Sequence, residues 1–184
     1  MNIKRTTIFI IVTIISLSLI SCGTLRNKMI NERLNILNSS NDNEVADKCV
    51  EKIINFIENK DKEGLKEIFA PSVLQEVNDI DGGIDYVIDF YKGKMESRSE
   101  ATTSRLDSSA DGKRITELRC MYTVTTNEDN YIVFFINRTA DSKESNNIGV
   151  SMLQIIKESD KKNEFDAGEK KTRCAGIYMP DSAK

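Results

Sequence analysis

The sequence predicts an α+β fold, N-terminal helices packed on a curved antiparallel sheet, from three observations. Apolar residues recur at helical spacing from Glu44 to Tyr91. The period changes from 3.6 to two after Gly93. Two runs that are apolar on both faces, "YIVFFIN" at 131–137 and "IGVSMLQII" at 148–156, then supply central strands.

Taken in order, the chain opens with Lys4 and Arg5, an apolar stretch from Ile8 to Ile20, and small residues at Ser21, Cys22 and Gly23. This is the layout of a bacterial export signal. The stretch of 13 residues is shorter than the about 20 that a spanning helix needs. The quartet Leu19-Ile20-Ser21-Cys22 resembles the lipobox of bacterial lipoproteins, in which the cysteine sulfur takes a diacylglyceryl group and the leader is cut before it. Residues 1–21 are therefore expected to be a signal peptide, and Cys22 the lipidated residue, holding the protein on the outer face of the cell membrane. Two acyl chains anchor firmly where one is marginal.

Residues 22–43 read as the lipidated cysteine and a flexible tether ending in "NSSNDN", residues 44–180 as one domain, and 181–184 as a tail. In Glu44 to Glu58, the residues Val45, Cys49, Ile53, Phe56 and Ile57 predict one helix with a broad buried face. Asp61 is placed to cap a short second helix with Leu65, Ile68 and Phe69 inward, and Pro71 is expected to close it. "DIDGGIDYVIDFYKGK" predicts a third helix, started by Asp81 or Gly82, burying Ile84, Val87, Ile88 and Tyr91, with Gly93 just past its end.

Met95 to Leu106 is polar and fits an edge strand, and Asp111-Gly112 suits a tight hairpin. The strand from Arg114 to Thr126 places Leu118, Cys120, Tyr122 and Val124 on a core face. "RTADSKESNN" and "KESDKKNEFDAGEKK" read as polar and charged loops, with a short last strand at "RCAGIYMP".

The runs "INFIENKDKEGLKEIFAPSVLQE", "DIDGGIDYVIDFYKG", "GVSMLQII" and "AGIYMP" together resemble an uncharacterised family of small Gram-positive lipoproteins, a domain-of-unknown-function group. That resemblance implies a cystatin-like fold of the nuclear-transport-factor-2 superfamily over residues 44–180. It brings no assigned catalytic residues.

Composition excludes several functions. The formal charge of −3 becomes −5 once Lys4 and Arg5 leave with the leader, so no nucleic-acid partner is expected. The chain has no histidine, which removes the commonest general base and metal ligand. Cys49, Cys120 and Cys174 are separated by 71 and 54 residues, spacings that fit no short zinc motif and read as inert buried thiols. With no phosphate loop or dinucleotide fingerprint either, neither metal nor cofactor is expected. Asp81, Asp85 and Asp89 would line one helix face, read as a solvated acidic surface.

The leading functional expectation is a non-enzymatic module that binds a small ligand or an envelope protein, with Tyr91, Tyr122, Phe134 and Met152 lining a pocket or filling the core. One alternative is a proton-transfer enzyme of isomerase or dehydratase type, with Asp89 as base and Tyr86, Tyr91 or Tyr122 polarising a carbonyl. Another is a homodimeric interaction domain that uses apolar surface around Met121 and one side of residues 131–136.

Overall fold

The structure, a computed structural model, describes residues 41–110 and 112–180. The leader, Cys22, most of the expected tether and the tail lie outside the described residues.

Among the described residues helix α1 covers 41–58, so residues 41–43, expected as tether, are helical. Ala46, Val50, Ile53, Ile54 and Ile57 are its buried apolar residues. That stripe is turned from the expected one, with which it shares Ile53 and Ile57. The physical reason is that apolar residues come in adjacent pairs at 45/46, 49/50, 53/54 and 56/57, so the apolar face is wide and its period does not say which half meets the sheet. Val45, Cys49 and Phe56 fall on the half-buried flank. The described N-terminal part of α1 is tied to the sheet by Asp42, which is buried and pairs with Arg105 at 2.7 Å.

Helix α2 (Lys62–Glu67) is capped as expected, the Gly64 amide donating to Asp61 Oδ1 at 2.9 Å. Pro71 does not only close it but opens a further helix, α3 (Pro71–Glu76), at its first turn. Extended backbone before a proline stops one helix, and the fixed proline φ suits the start of the next. Helix α4 (Ile80–Phe90) is capped by Asp79, which accepts from the Gly82 amide at 2.8 Å, instead of by Asp81 or Gly82. Asp81 and Asp85 pair with Lys66 and Lys62 of α2, exposed contacts that contribute little to stability. Ile84, Val87, Ile88 and Tyr91 are buried together, while Gly93 lies two residues beyond the helix cap at Tyr91.

The sheet has strands β1 (Met95–Arg98), β2 (Thr102–Ala110), β3 (Lys113–Thr126), β4 (Asn130–Asp141), β5 (Gly149–Lys157) and β6 (Gly176–Ile177). β1 and β2 follow one another along the same edge of β3, with Met95 opposite Thr126 and Thr102 opposite Met121. The order then runs β3, β4, β5, β6. β5 and β6 are parallel, so the curved, unclosed sheet is mixed and not wholly antiparallel. The β2–β3 hairpin turns between Ala110 and Lys113, where Asp111-Gly112 places it.

Leu118, Cys120, Tyr122 and Val124 face the helices with no exposed surface. β4 is buried on both faces from Tyr131 to Ile136. It continues through Arg138 to Asp141, so the first part of "RTADSKESNN" is strand and not loop. Two bulges re-phase the ladder, one skipping Thr139 opposite β3 and one skipping Ser151 in β5.

The charged segment after β5 is likewise more than a solvated loop. It forms α5 (Lys161–Glu164) and a turn at 166–172 that lie on the outer sheet face. Phe165 meets Phe134 edge-on at 5.4 Å, and Ala167, Cys174 and Tyr178 complete a second apolar cluster with Phe134, Ile136 and Met152. The expected apolar outer surface is therefore covered: Ile132, Phe134 and Ile136 are at most 2% exposed. Two apolar rings among many charges suffice to fold the segment back.

Asp166 holds this cover together by accepting from the Thr172 hydroxyl and from the amides of Glu169, Lys170, Lys171 and Thr172. Burial opposes its ionisation, but the Thr172 hydroxyl and the amides outweigh it and bring its pKa down to about 2. A depressed carboxyl stabilises the fold above its unfolded pKa and loses that effect as pH falls through the folded value. The stability difference between the wild type and Asp166→Asn is thus expected to narrow from about pH 4 to about pH 2, as followed by acid titration of denaturant unfolding. A constant difference over that window would show that the carboxylate charge does not hold the turn.

Candidate functional site

The four residues expected to line one pocket are divided by the sheet. Tyr91 and Tyr122 lie on the helix side, and Phe134 and Met152 lie on the outer face beneath Phe165. Met121, not Tyr122, is the β3 partner of Phe134, and successive residues of a strand face opposite ways.

Both tyrosines are spent on structure. Tyr122 donates to Asp47 Oδ1 at 2.8 Å, and the Arg98 guanidinium, 5.3 Å from the Tyr122 ring centre, also binds Asp47 and Glu51. Tyr91 stacks on Tyr131 with ring centres 4.8 Å apart and reaches Glu58 Oε1 at 3.4 Å, an oxygen that also accepts from the Met95 amide. Burial, then the neighbouring carboxylates, pushes both hydroxyls well above the usual tyrosine range. Tyr86 stacks on Phe90, and Asp89 is exposed on α4. The base and the hydroxyls of the proton-transfer alternative do not converge on a cavity. Among the described residues no group of three His, Cys, Asp or Glu side chains could hold a metal ion.

A concave site does exist elsewhere. A cleft of about 400 Å³ lies between the flank of α1, α2 and the ends of β4 and β5. Val45, Cys49, Phe56, Ile68 and Val150 form its apolar walls, while Lys48, Lys52, Glu67 and Asn137 supply polar groups. Residues 45, 48, 49, 52 and 56 share one stripe of α1, the half of the apolar face that the sheet does not take. Gly64 lets α2 approach, because a Cβ there would lie 2.5 Å from the Phe56 ring. The opposite wall is fixed by two backbone bonds, Val150 N–H to the Ile68 carbonyl and Ala70 N–H to the Val150 carbonyl, both 3.0 Å.

Lys48 is paired with Glu44 at 2.6 Å, whereas Lys52 has no ion-pair partner among the described residues. Burial raises the Cys49 thiol to about 12 despite the opposing pull of the Lys52 ammonium. The cleft therefore offers apolar walls, a cationic side and a protonated thiol, which suits binding and not nucleophilic attack.

A rise from 9.0 to about 12 leaves roughly a thousandfold less thiolate at pH 8. Alkylation of Cys49 in the native protein is expected to be slower than in a denatured control by about that factor, read by mass spectrometry of the Cys49 peptide. Labelling at the denatured rate would contradict the protected thiol.

The wall residues Ile68 and Val150 were not legible as a site from sequence, since each reads as ordinary core. Paired apolar positions on α1 were the available signal for Val45, Cys49 and Phe56.

Residues 52–158 match a family described as a domain of unknown function, DUF5104. No curated protein matches the chain. Among the described residues no helix is long and apolar enough to cross a membrane.

Proposed function

The chain belongs to the DUF5104 family of unknown function, and from that premise we propose that it is a non-enzymatic binding module. Its ligand is a small molecule with an apolar body and an anionic end, seated in the cleft between α1 and α2. Cys22 tethers the module to the outer face of the membrane as a lipoprotein, a reading supported by the charged start, short apolar run and lipobox-like quartet of residues 19–22.

The observation that carries the binding reading is the cleft's combination of size, apolar wall and a cation, Lys52, without an ion-pair partner among the described residues. Ligand sites are concave, mostly apolar and furnished with a few polar groups that fix orientation. Lys52 is placed to meet the anionic end, and Val45, Phe56 and Ile68 the apolar body.

Anilinonaphthalene sulfonate, an apolar ring system with one sulfonate, is a direct probe. Its fluorescence is expected to rise saturably with the wild-type protein, to fall at least tenfold in affinity with Val45→Trp, which fills the cleft from a half-buried position, and to weaken with Lys52→Glu. Equal binding by all three proteins would place the probe elsewhere and remove this reading.

A further inference from the structure

The free edge of β5 is covered in two pieces. Residue Phe69 bridges to Val150, and β6 pairs with Met152 and Leu153. Ser151, the bulged residue, sits in the gap, and a second cleft of about 390 Å³ opens there. It lies on the other side of the 68–70 segment from the first cleft: Ile68, Asn137 and Val150 line one, and Ala70, Arg138 and Ser151 line the other. Its lining is mixed: Val73 and the alanines at 70 and 175 are apolar, Ser72, Arg138, Asn147, Ser151 and Arg173 are polar, and Glu76 is exposed on the rim.

Arg138 is the unusual member. Its Nη1 donates to Asp141 Oδ2 at a long 3.4 Å, and its Nε is buried with no hydrogen-bond partner. A buried guanidinium N–H without an acceptor is rare and disfavoured in a folded protein. Arg173 also makes only long contacts, 3.4 Å to Glu117 Oε2 and 3.5 Å to the Gly168 carbonyl. Charge-assisted bonds are ordinarily about 2.7–2.9 Å.

The nearby carboxylates do not complete these arginines. Asp141 is taken up by the amides of Lys143 and Glu144 and by Asn147 Nδ2. Glu117 is shared between Arg173 and Arg119, the latter at 3.3 Å. Glu76 forms no ion pair with either arginine. The Ser151 hydroxyl donates to the Ile136 carbonyl, and the Ser72 hydroxyl makes no hydrogen bond among the described residues.

We propose that this cleft is an oxyanion site, binding the carboxylate or phosphate group of a small molecule. Arg138 lines the cleft and its Nη1 is taken by Asp141, which leaves the Nε/Nη2 edge of the guanidinium, two parallel N–H groups that match two oxygens of either group, as the pair a bound anion would satisfy. Arg173 supplies the second positive charge and Ser72 a hydroxyl donor. The volume admits a small organic acid or phosphoester beyond the bare anion.

The test is titration of the purified protein with sodium phosphate and, separately, sodium citrate, each against sodium chloride at matched ionic strength. The thermal midpoint and the Arg138 Nε–H resonance in a ¹H–¹⁵N spectrum are read together. Binding is expected to raise the midpoint saturably, to shift the Arg138 Nε–H resonance, and to weaken tenfold or more in Arg173→Gln. The response should survive Val45→Trp, which belongs to the other cleft. Arg138→Gln should abolish it, and the wild-type resonance remains decisive if that variant does not fold. A response to phosphate alone identifies a phosphate ligand, and one to citrate alone a carboxylate. No response to either anion, or a midpoint rise with an unmoved Arg138 resonance, overturns the proposal.

Discussion

Gly149→Ala is expected to destabilise the protein by about 2–4 kcal/mol, combining a strained backbone with a steric clash. Gly149 has φ of +132°, a conformation that side chains oppose, and a Cβ would lie 2.9 Å from the Ala70 nitrogen and 3.2 Å from the Ile68 carbonyl oxygen. The neighbouring backbone is not free to retreat, because Val150 exchanges two hydrogen bonds with residues 68 and 70. The same displacement would move Ile68 and so deform the α1–α2 cleft. Denaturant unfolding and probe affinity should therefore worsen together. A loss of less than about 0.5 kcal/mol, the range of neutral surface changes, would show that the 68–70 segment is not clamped to β5.

Tyr131→Ala is expected to lose about 3–5 kcal/mol, the range for emptying an aromatic site in a packed core. Tyr131 has no exposed surface and stacks on Tyr91, with Phe90 edge-on at 5.9 Å. Its hydroxyl accepts from the Lys92 amide at 2.9 Å and lies 3.4 Å from the Phe90 carbonyl, where it donates. It thereby ties the end of α4 to the middle of the sheet. Tyr131→Phe keeps the ring and strands the Lys92 amide, so a smaller loss of about 1–3 kcal/mol is expected. Equal losses in the two variants would mean that the hydroxyl, not the ring, carries the contact.

Both residues illustrate how far the sequence could be read. Tyr131 was legible as core because six successive apolar residues admit no solvated face. The same run hid the difference between its two sides. Tyr131, Val133 and Phe135 meet the helices, while Ile132, Phe134 and Ile136 face outward. No alternation of polarity marks which set is which. Met152 faces outward with Phe134 and Ile136, hidden for a related reason: the bulge at Ser151 re-phases β5, and a bulge leaves no trace in a short apolar run.

The helices were legible through period and punctuation, but their ends less so. Asp79 and Asp81 are equally good capping residues by type, and tertiary placement chose Asp79. Pro71 marks a stop by the restriction it puts on the residue before it, and its own fixed φ makes it equally fit to start the next helix.

The candidate site was the least legible feature. Its walls come from one helix flank, the second helix and the residue after it, and residues of two strands, brought together in part by the parallel bridge of Phe69 to Val150. The α1 contribution could be guessed from doubled apolar positions, since one sheet cannot cover so wide a face. The rest depends on long-range packing that spacing does not encode.

Whether the α1–α2 cleft receives a ligand is decided by methyl-resolved NMR of the labelled protein titrated with anilinonaphthalene sulfonate. Saturable shifts are expected at the Val45, Ile68 and Val150 methyls, with the Ile136 and Met152 methyls of the covered outer face unmoved. Shifts confined to the outer face, or none at any of these methyls, would contradict binding in the α1–α2 cleft.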